Sequence, residues 1–88
     1  MEDPQEITKA GMLKVYPNPV NDYLNVSVLG NVDRKSALSI FDAKGVLMRT
    51  INMTNNLQRI NVADLPKGVY IIKLNNGEGN LSSKFVRQ

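Results

Sequence analysis

Serine beside lysine is the pairing in this 88-residue chain that comes nearest to a catalytic constellation. In Ser82-Ser83-Lys84 a neutral lysine amine could take a serine proton and make the hydroxyl a nucleophile for acyl transfer. Geometry argues against it. Successive residues of a strand point to opposite faces, and nothing nearby supplies the aligned donors that an oxyanion requires. Carboxylates are the other acid–base candidates: Glu2, Asp3, Glu6, Asp22, Asp33, Asp42, Asp64 and Glu78. Most fall at predicted turns, and no Asp-x-Asp-x-Asp run marks a calcium loop. Gly77-x-Gly79 is too short for a phosphate loop and does not open a helix. Histidine and cysteine are absent. Disulfides, thiolate or imidazole metal ligation and Cys or His catalysis are thereby excluded. The sequence predicts no enzyme, no cofactor and no metal.

The elements that position these residues are strands. Period-two alternation recurs, whereas a 3.6-residue period does not. Leu13 and Val15 begin it. Leu24, Val26 and Val28 alternate with Asn25 and Ser27, and Leu38 and Ile40 flank Ser39. Asp42-Ala43-Lys44-Gly45 reads as a tight turn into a return strand, Val46 to Ile51. Ile60 and Val62 mark a fifth strand, and Val69 to Leu74 a sixth and central one. Asn75-Asn76-Gly77-Glu78-Gly79 is the strongest turn signal, and Leu81 to Arg87 is the last strand. Seven short strands with regular turn signals predict an all-β, antiparallel β-sandwich. The expected core is Leu24, Val26, Val28, Leu38, Ile40, Leu47, Ile60, Val62, Leu65, Tyr70, Ile72 and Leu74.

Two segments punctuate the strands. Tyr16-Pro17-Asn18-Pro19 cannot lie inside a paired strand, because each proline lacks an N–H and fixes φ. It predicts a rigid corner whose tyrosine seals one end of the sandwich, with Asn18, Asn21 and Asp22 bonding to backbone nearby. Leu65-Pro66-Lys67-Gly68-Val69-Tyr70 predicts a crossover between sheets. Leu65 plugs the core edge, Pro66 and Gly68 set the bend, and Tyr70 packs inward in the manner of a tyrosine corner.

A chain of this length makes one small domain. Its charge of +3 comes from basic residues scattered along the sequence. That pattern is a solvated mixed surface and lacks the clusters of a nucleic-acid site. No apolar run reaches a membrane span. Residues 1–11 read as a linker, and residues 12–88 as the domain. The acidic start, Met1 to Glu6, is not a signal peptide, so export would need one on upstream sequence. Met1 itself reads as a start placed ahead of an excised segment.

Four motifs stand in order: Tyr16-Pro17-Asn18-Pro19 with Asp22-x-Leu24-x-Val26; Ile40-Phe41-Asp42-x-x-Gly45; Val62-x-x-Leu65-Pro66-x-Gly68-x-Tyr70; and Lys84-Phe85-Val86-Arg87. Together they resemble the type A C-terminal sorting domain of the type IX (Por) secretion system of Bacteroidetes. The likeness spans about residues 13–88. It implies a seven-stranded immunoglobulin-like sandwich that acts as a secretion signal. Cargo fused upstream would reach the periplasm, cross the outer membrane through the type IX translocon, and appear at the cell surface or outside the cell. A sortase-like cysteine peptidase would then remove the domain, cutting within or before residues 1–12. Tyr16, Pro17, Asn18, Pro19, Gly45, Leu65, Pro66, Gly68 and Tyr70 carry the motif and are mainly structural. Lys84, Phe85, Val86, Arg87 and Gln88 are the expected translocon-recognition residues. The family's tails are often lysine-rich, and Arg87-Gln88 departs from that.

The expected mechanism is strand addition to a last strand with unpaired edge groups, with Lys84 and Arg87 supplying charge. On that view, deleting residues 84–88 leaves a folded sandwich. Nucleic acid is not an expected partner, and a strand-exchanged homodimer is expected of the isolated chain. The alternative is an accessory carbohydrate-binding or adhesive module, for which Tyr16, Tyr23 and Phe85 would be the stacking aromatics. A structural spacer is a third class, and would show no export phenotype on truncation.

Overall fold

The computed structural model describes residues 11–30, 32, 36–75 and 79–88. Seven strands follow in order: β1 (Met12–Tyr16), β2 (Tyr23–Leu29), β3 (Ala37–Asp42), β4 (Leu47–Asn52), β5 (Leu57–Asn61), β6 (Gly68–Asn75) and β7 (Asn80–Arg87). They form a three-stranded sheet, β1-β2-β5, and a four-stranded sheet, β4-β3-β6-β7. Every strand pair is antiparallel. The linker predicted for residues 1–11 and the tip of the turn at Asn76-Gly77-Glu78 fall on or into residues outside those described. Among the described residues, no helix is long and apolar enough to cross a membrane.

Alternation produces the core. In β2 Leu24, Val26 and Val28 point inward, and in β6 Tyr70, Ile72 and Leu74 do the same. In β2 the intervening residues are the polar Asn25 and Ser27, as in antiparallel sheets with one wet face, whereas in β6 they are Val69, Ile71 and Lys73. Strand β6 lies between β3 and β7, which accounts for its apolar character. Leu13, Val20, Met53, Leu81 and Phe85 are also fully or nearly fully buried, and none of them was in the predicted core.

Leu47 is a correction. It was expected inside, yet it is 53% exposed. The register explains why. Ile40 faces Arg49, but the next residue, Phe41, faces Leu47, so Met48 is an extra residue in the ladder. An inserted residue reverses the facing of everything beyond it. Leu47 is therefore carried to the outer face with Phe41, while Arg49 and Ile51 stay on the core side opposite Ile40 and Leu38.

The turn before β4 is closed as predicted. The Asp42 carboxylate accepts from the N–H groups of Lys44 and Val46, both at 2.9 Å. Gly45 takes φ +86°, a conformation that favours glycine.

The register also fixes the direction of the chain. Strand β1 starts at Met12 opposite Leu29 and ends at Tyr16 opposite Asn25. Arg87 lies beside Gly68, and Asp42 beside Tyr70. The end of β1, the 42–46 turn, the crossover before β6 and the end of β7 thus lie at one end of the sandwich. The start of β1 lies at the other.

Candidate functional site

All the predicted motif and recognition residues meet at that one end. The segment after β1 runs along the outer edge of β7. Asn18 bridges to it with its amide: Oδ1 accepts from the Val86 N–H at 2.9 Å, and Nδ2 donates to the Lys84 carbonyl at 3.3 Å. Val20 then pairs with β7 through its backbone. Its N–H donates to the Val86 carbonyl at 2.8 Å, and its carbonyl accepts from Gln88 N–H at 2.9 Å. Its side chain is fully buried. Both X-Pro bonds of the corner, Tyr16-Pro17 and Asn18-Pro19, are cis.

Three expectations change here. Strand β7 is an edge strand of its sheet, but the groups at Lys84, Val86 and Gln88 that were expected to be open to a partner are occupied. Asn18 was expected to bond locally and instead reaches 66–68 residues along the chain. Tyr16 does not seal the end either: the residue is 41% exposed, and its carbonyl accepts from the Asn25 side-chain amide.

The crossover behaves as a tyrosine corner. Tyr70 is buried, and its hydroxyl donates to the Pro66 carbonyl at 2.5 Å. Gly68, with φ +153°, turns the chain into β6. Leu65 is buried as well. Directly opposite Tyr70 on β7 lies Phe85. The two rings stack with centroids 5.4 Å apart, and Phe85 is fully buried. Aromatic pairs in this geometry add about 0.5–1.5 kcal/mol to their burial. Phe85 is thus a core residue and is unavailable for sugar stacking. Tyr23, a second stacking candidate, has its ring face covered by the Arg59 guanidinium at 4.1 Å.

Two arginines from opposite edges close the same loop. Arg87 on β7 donates from Nε to the Val62 carbonyl and from Nη2 to the Ala63 carbonyl, both at 3.0 Å, and also bonds to the Gln88 carbonyl. Arg49 on β4 donates to the Asn61 carbonyl at 2.6 Å and clasps the Asp64 carboxylate in a bidentate pair at 2.6 and 2.7 Å. Three consecutive carbonyls, Asn61 to Ala63, thus receive guanidinium donors, that of Val62 accepting from the Leu65 N–H as well. The Arg49 hydrogen bond, helped by its charge, holds the Asp64 carboxyl below the ordinary aspartate range.

The five terminal residues consequently divide. Phe85 and Arg87 face the interior and the crossover. Lys84, Val86 and Gln88 are exposed. With Phe85 in the core, removal of residues 84–88 would strip the fold itself, contrary to the expectation that a sandwich would survive. Among the chemistry candidates, Ser82 and Lys84 share the outer face while Ser83 lies opposite Ile72 on the inner one. Asp42 is spent on its turn and Asp64 on Arg49. Glu2, Asp3, Glu6, Asp33 and Glu78 lie outside the described residues.

Sequence reasoning missed Val20 because a single valine after Pro19 has no period around it. Phe85 was readable: Leu81 and Phe85 share one strand face, although Ser83 between them blurs the pattern.

The fold and this packed end define an immunoglobulin-like β-sandwich module. The same frame occurs in a protein of the DUF3244 family from Bacteroides vulgatus, which is 20% identical with a TM-score of 0.68 over 86% of this chain and 84% of that one. It also occurs within PorZ, a surface component of the type IX secretion system of Porphyromonas gingivalis. There the identity is 21% and the TM-score 0.71 over 86% of this chain, which spans only 11% of the length of PorZ. Among curated proteins, none matches the chain by sequence. The family model described as "Secretion system C-terminal sorting domain" matches residues 14–88. The chain belongs to that family. It is a C-terminal secretion signal for type IX secretion, a non-catalytic class of domain that works with the type IX machinery to place proteins at the cell surface or outside the cell.

Proposed function

We propose that the domain is of type A and carries an upstream cargo from the periplasm through the outer-membrane translocon. A sortase-like cysteine peptidase then cuts on the cargo side of the sandwich, within or before residues 1–12. The division into a linker, 1–11, and a sorting domain, 12–88, is supported by the start of β1 at Met12. The translocon reads the folded end around β7. Lys84, Val86 and Gln88 face outward for contact, and Phe85 and Arg87 position them from inside. The docking of Asn18 and Val20 onto β7 carries this reading, because it makes the terminal residues a fixed surface. A flexible tail would lose conformational entropy on recognition, and a preorganised surface avoids that cost. In the isolated chain, β7 is the strand open to exchange between two copies, with Phe85 of each filling the core of the other.

The test is a fusion of residues 1–88 to a periplasmic reporter in a host with this secretion system. The reporter should reach the surface and lose residues 12–88 on the way. Reporter held in the periplasm would overturn the sorting reading. Surface reporter that keeps the domain would overturn the peptidase step alone.

A further inference from the structure

The outer face of the four-stranded sheet carries a feature that a solvated sheet does not need. Leu47, Phe41, Ile71 and Lys84 are direct neighbours across all four strands, and Val69 pairs with Val86 in the adjoining row. Phe41 is half-buried, and Leu47, Val69, Ile71 and Val86 are exposed. Next comes a polar row: Ser39, Thr50, Lys73 and Ser82. Apolar side chains thus fill only the half of the face at the end that holds the terminal residues. Two lysines border them. Lys84 stands beside Ile71, and the Lys73 ammonium lies 5.3 Å above the Phe41 ring. Among the described residues of this face there is no carboxylate. A contiguous apolar patch edged by one sign of charge marks an interaction surface.

We infer that this half-face, formed by Phe41, Leu47, Val69, Ile71 and Val86 with Lys73 and Lys84, is where the domain docks on an apolar, acid-rimmed protein surface of the export machinery. The inference rests on the sorting reading and extends its surface from the terminal Lys84 and Val86 across the sheet to Ile71, Val69, Phe41 and Leu47. Charge selects the occupant. A second copy laid on the same face would set lysine against lysine. An anionic membrane would satisfy the lysines, but its apolar contacts must enter the headgroup layer by about 5–10 Å. Val69, Ile71 and Val86 stand on a pleated sheet flush with their neighbours, Ile71 being only 37% exposed. A matching protein surface meets such a low relief directly.

The experiment uses the reporter fusion with Leu47→Glu and Ile71→Glu, and Leu57→Glu as the control. Leu57 is an exposed leucine on the other sheet. Melting of each purified chain is recorded alongside. Surface reporter should fall at least about tenfold for both face variants, since a carboxylate forced into an apolar contact costs at least that in affinity. Leu57→Glu should leave it unchanged. Should Ile71→Glu not fold, Leu47→Glu on the edge strand decides. Export of the wild-type fusion with undiminished export of the folded face variants overturns this inference and leaves the sorting reading intact. Failure of the wild-type fusion overturns the sorting reading itself. Two further results also overturn the inference: sedimentation with phosphatidylglycerol vesicles that the glutamates abolish, and a dimer in analytical ultracentrifugation that they dissociate.

Discussion

Strands β4 and β7 are the two edges of one sheet, and each sends an arginine across the sandwich to the same loop. Beyond that they differ. Strand β7 buries Leu81 and Phe85 and has its outer groups at residues 84–88 taken by Asn18 and Val20. In β4 no residue is fully buried, and a bulge turns Leu47 out to water. One edge completes the core and the other only flanks it. The lesson is that an edge strand's position does not reveal its energetic weight; the partners on its open side do.

The largest expected effect breaks that comparison outright. Deleting residues 84–88 removes Phe85 and Arg87 and uncovers Val20, so a domain of marginal stability, about 5–15 kcal/mol, should lose its cooperative thermal transition. A sharp melt in circular dichroism of the truncated chain would show that β7 is as dispensable as β4. Next is Phe85→Ala, which should cost about 3–5 kcal/mol in urea unfolding, against a change within about 0.5 kcal/mol for Leu47→Ala on the other edge. Equal losses would erase the distinction. Asn18→Ala should cost about 0.5–1.5 kcal/mol and expose the Val86 amide to faster hydrogen exchange, while amides of β4 stay as they are. An unaltered Val86 rate would mean that the corner does not protect β7.

The smallest effect sharpens the β4 side. The Arg49 hydrogen bond keeps the Asp64 carboxyl low in the folded state, so the pair stabilises the fold above the ordinary carboxylate range. That contribution fades as pH falls through the depressed value, because the unfolded chain takes up the proton first. Asp64 is 72% exposed, and the effect is correspondingly screened. Asp64→Asn should slightly flatten the acid slope of the urea midpoint between pH 7 and about pH 3. A slope identical to that of the parent would show that the clasp carries no stability.

Much of this was legible in the residues. Strand number, the 42–46 turn, the central β6 and the Tyr70 corner all follow from alternation and from turn chemistry at Gly45, Pro66 and Gly68. The Leu47 error had a physical source: a bulge adds one residue to a ladder without any mark in the local pattern. The packing of β7 was harder to see. Asn18 and Val86 are joined by a contact between distant parts of the chain, and no period encodes it. Clustering of the motif residues at one end emerged only once the register was known. Adjacent positions in the sequence list, such as Phe85 and Val86, turned out to serve the inside and the outside respectively.

The course of β1 has a practical consequence. It enters the domain at Met12 and travels the length of the sandwich before reaching the corner, so the chain joins the domain at the pole opposite residues 84–88. On the proposed reading, a bulky passenger would be held clear of the translocon contact at residues 84–88, and a peptidase cutting within or before residues 1–12 would work at a distance from it. The body of the domain would then keep the two events apart in space.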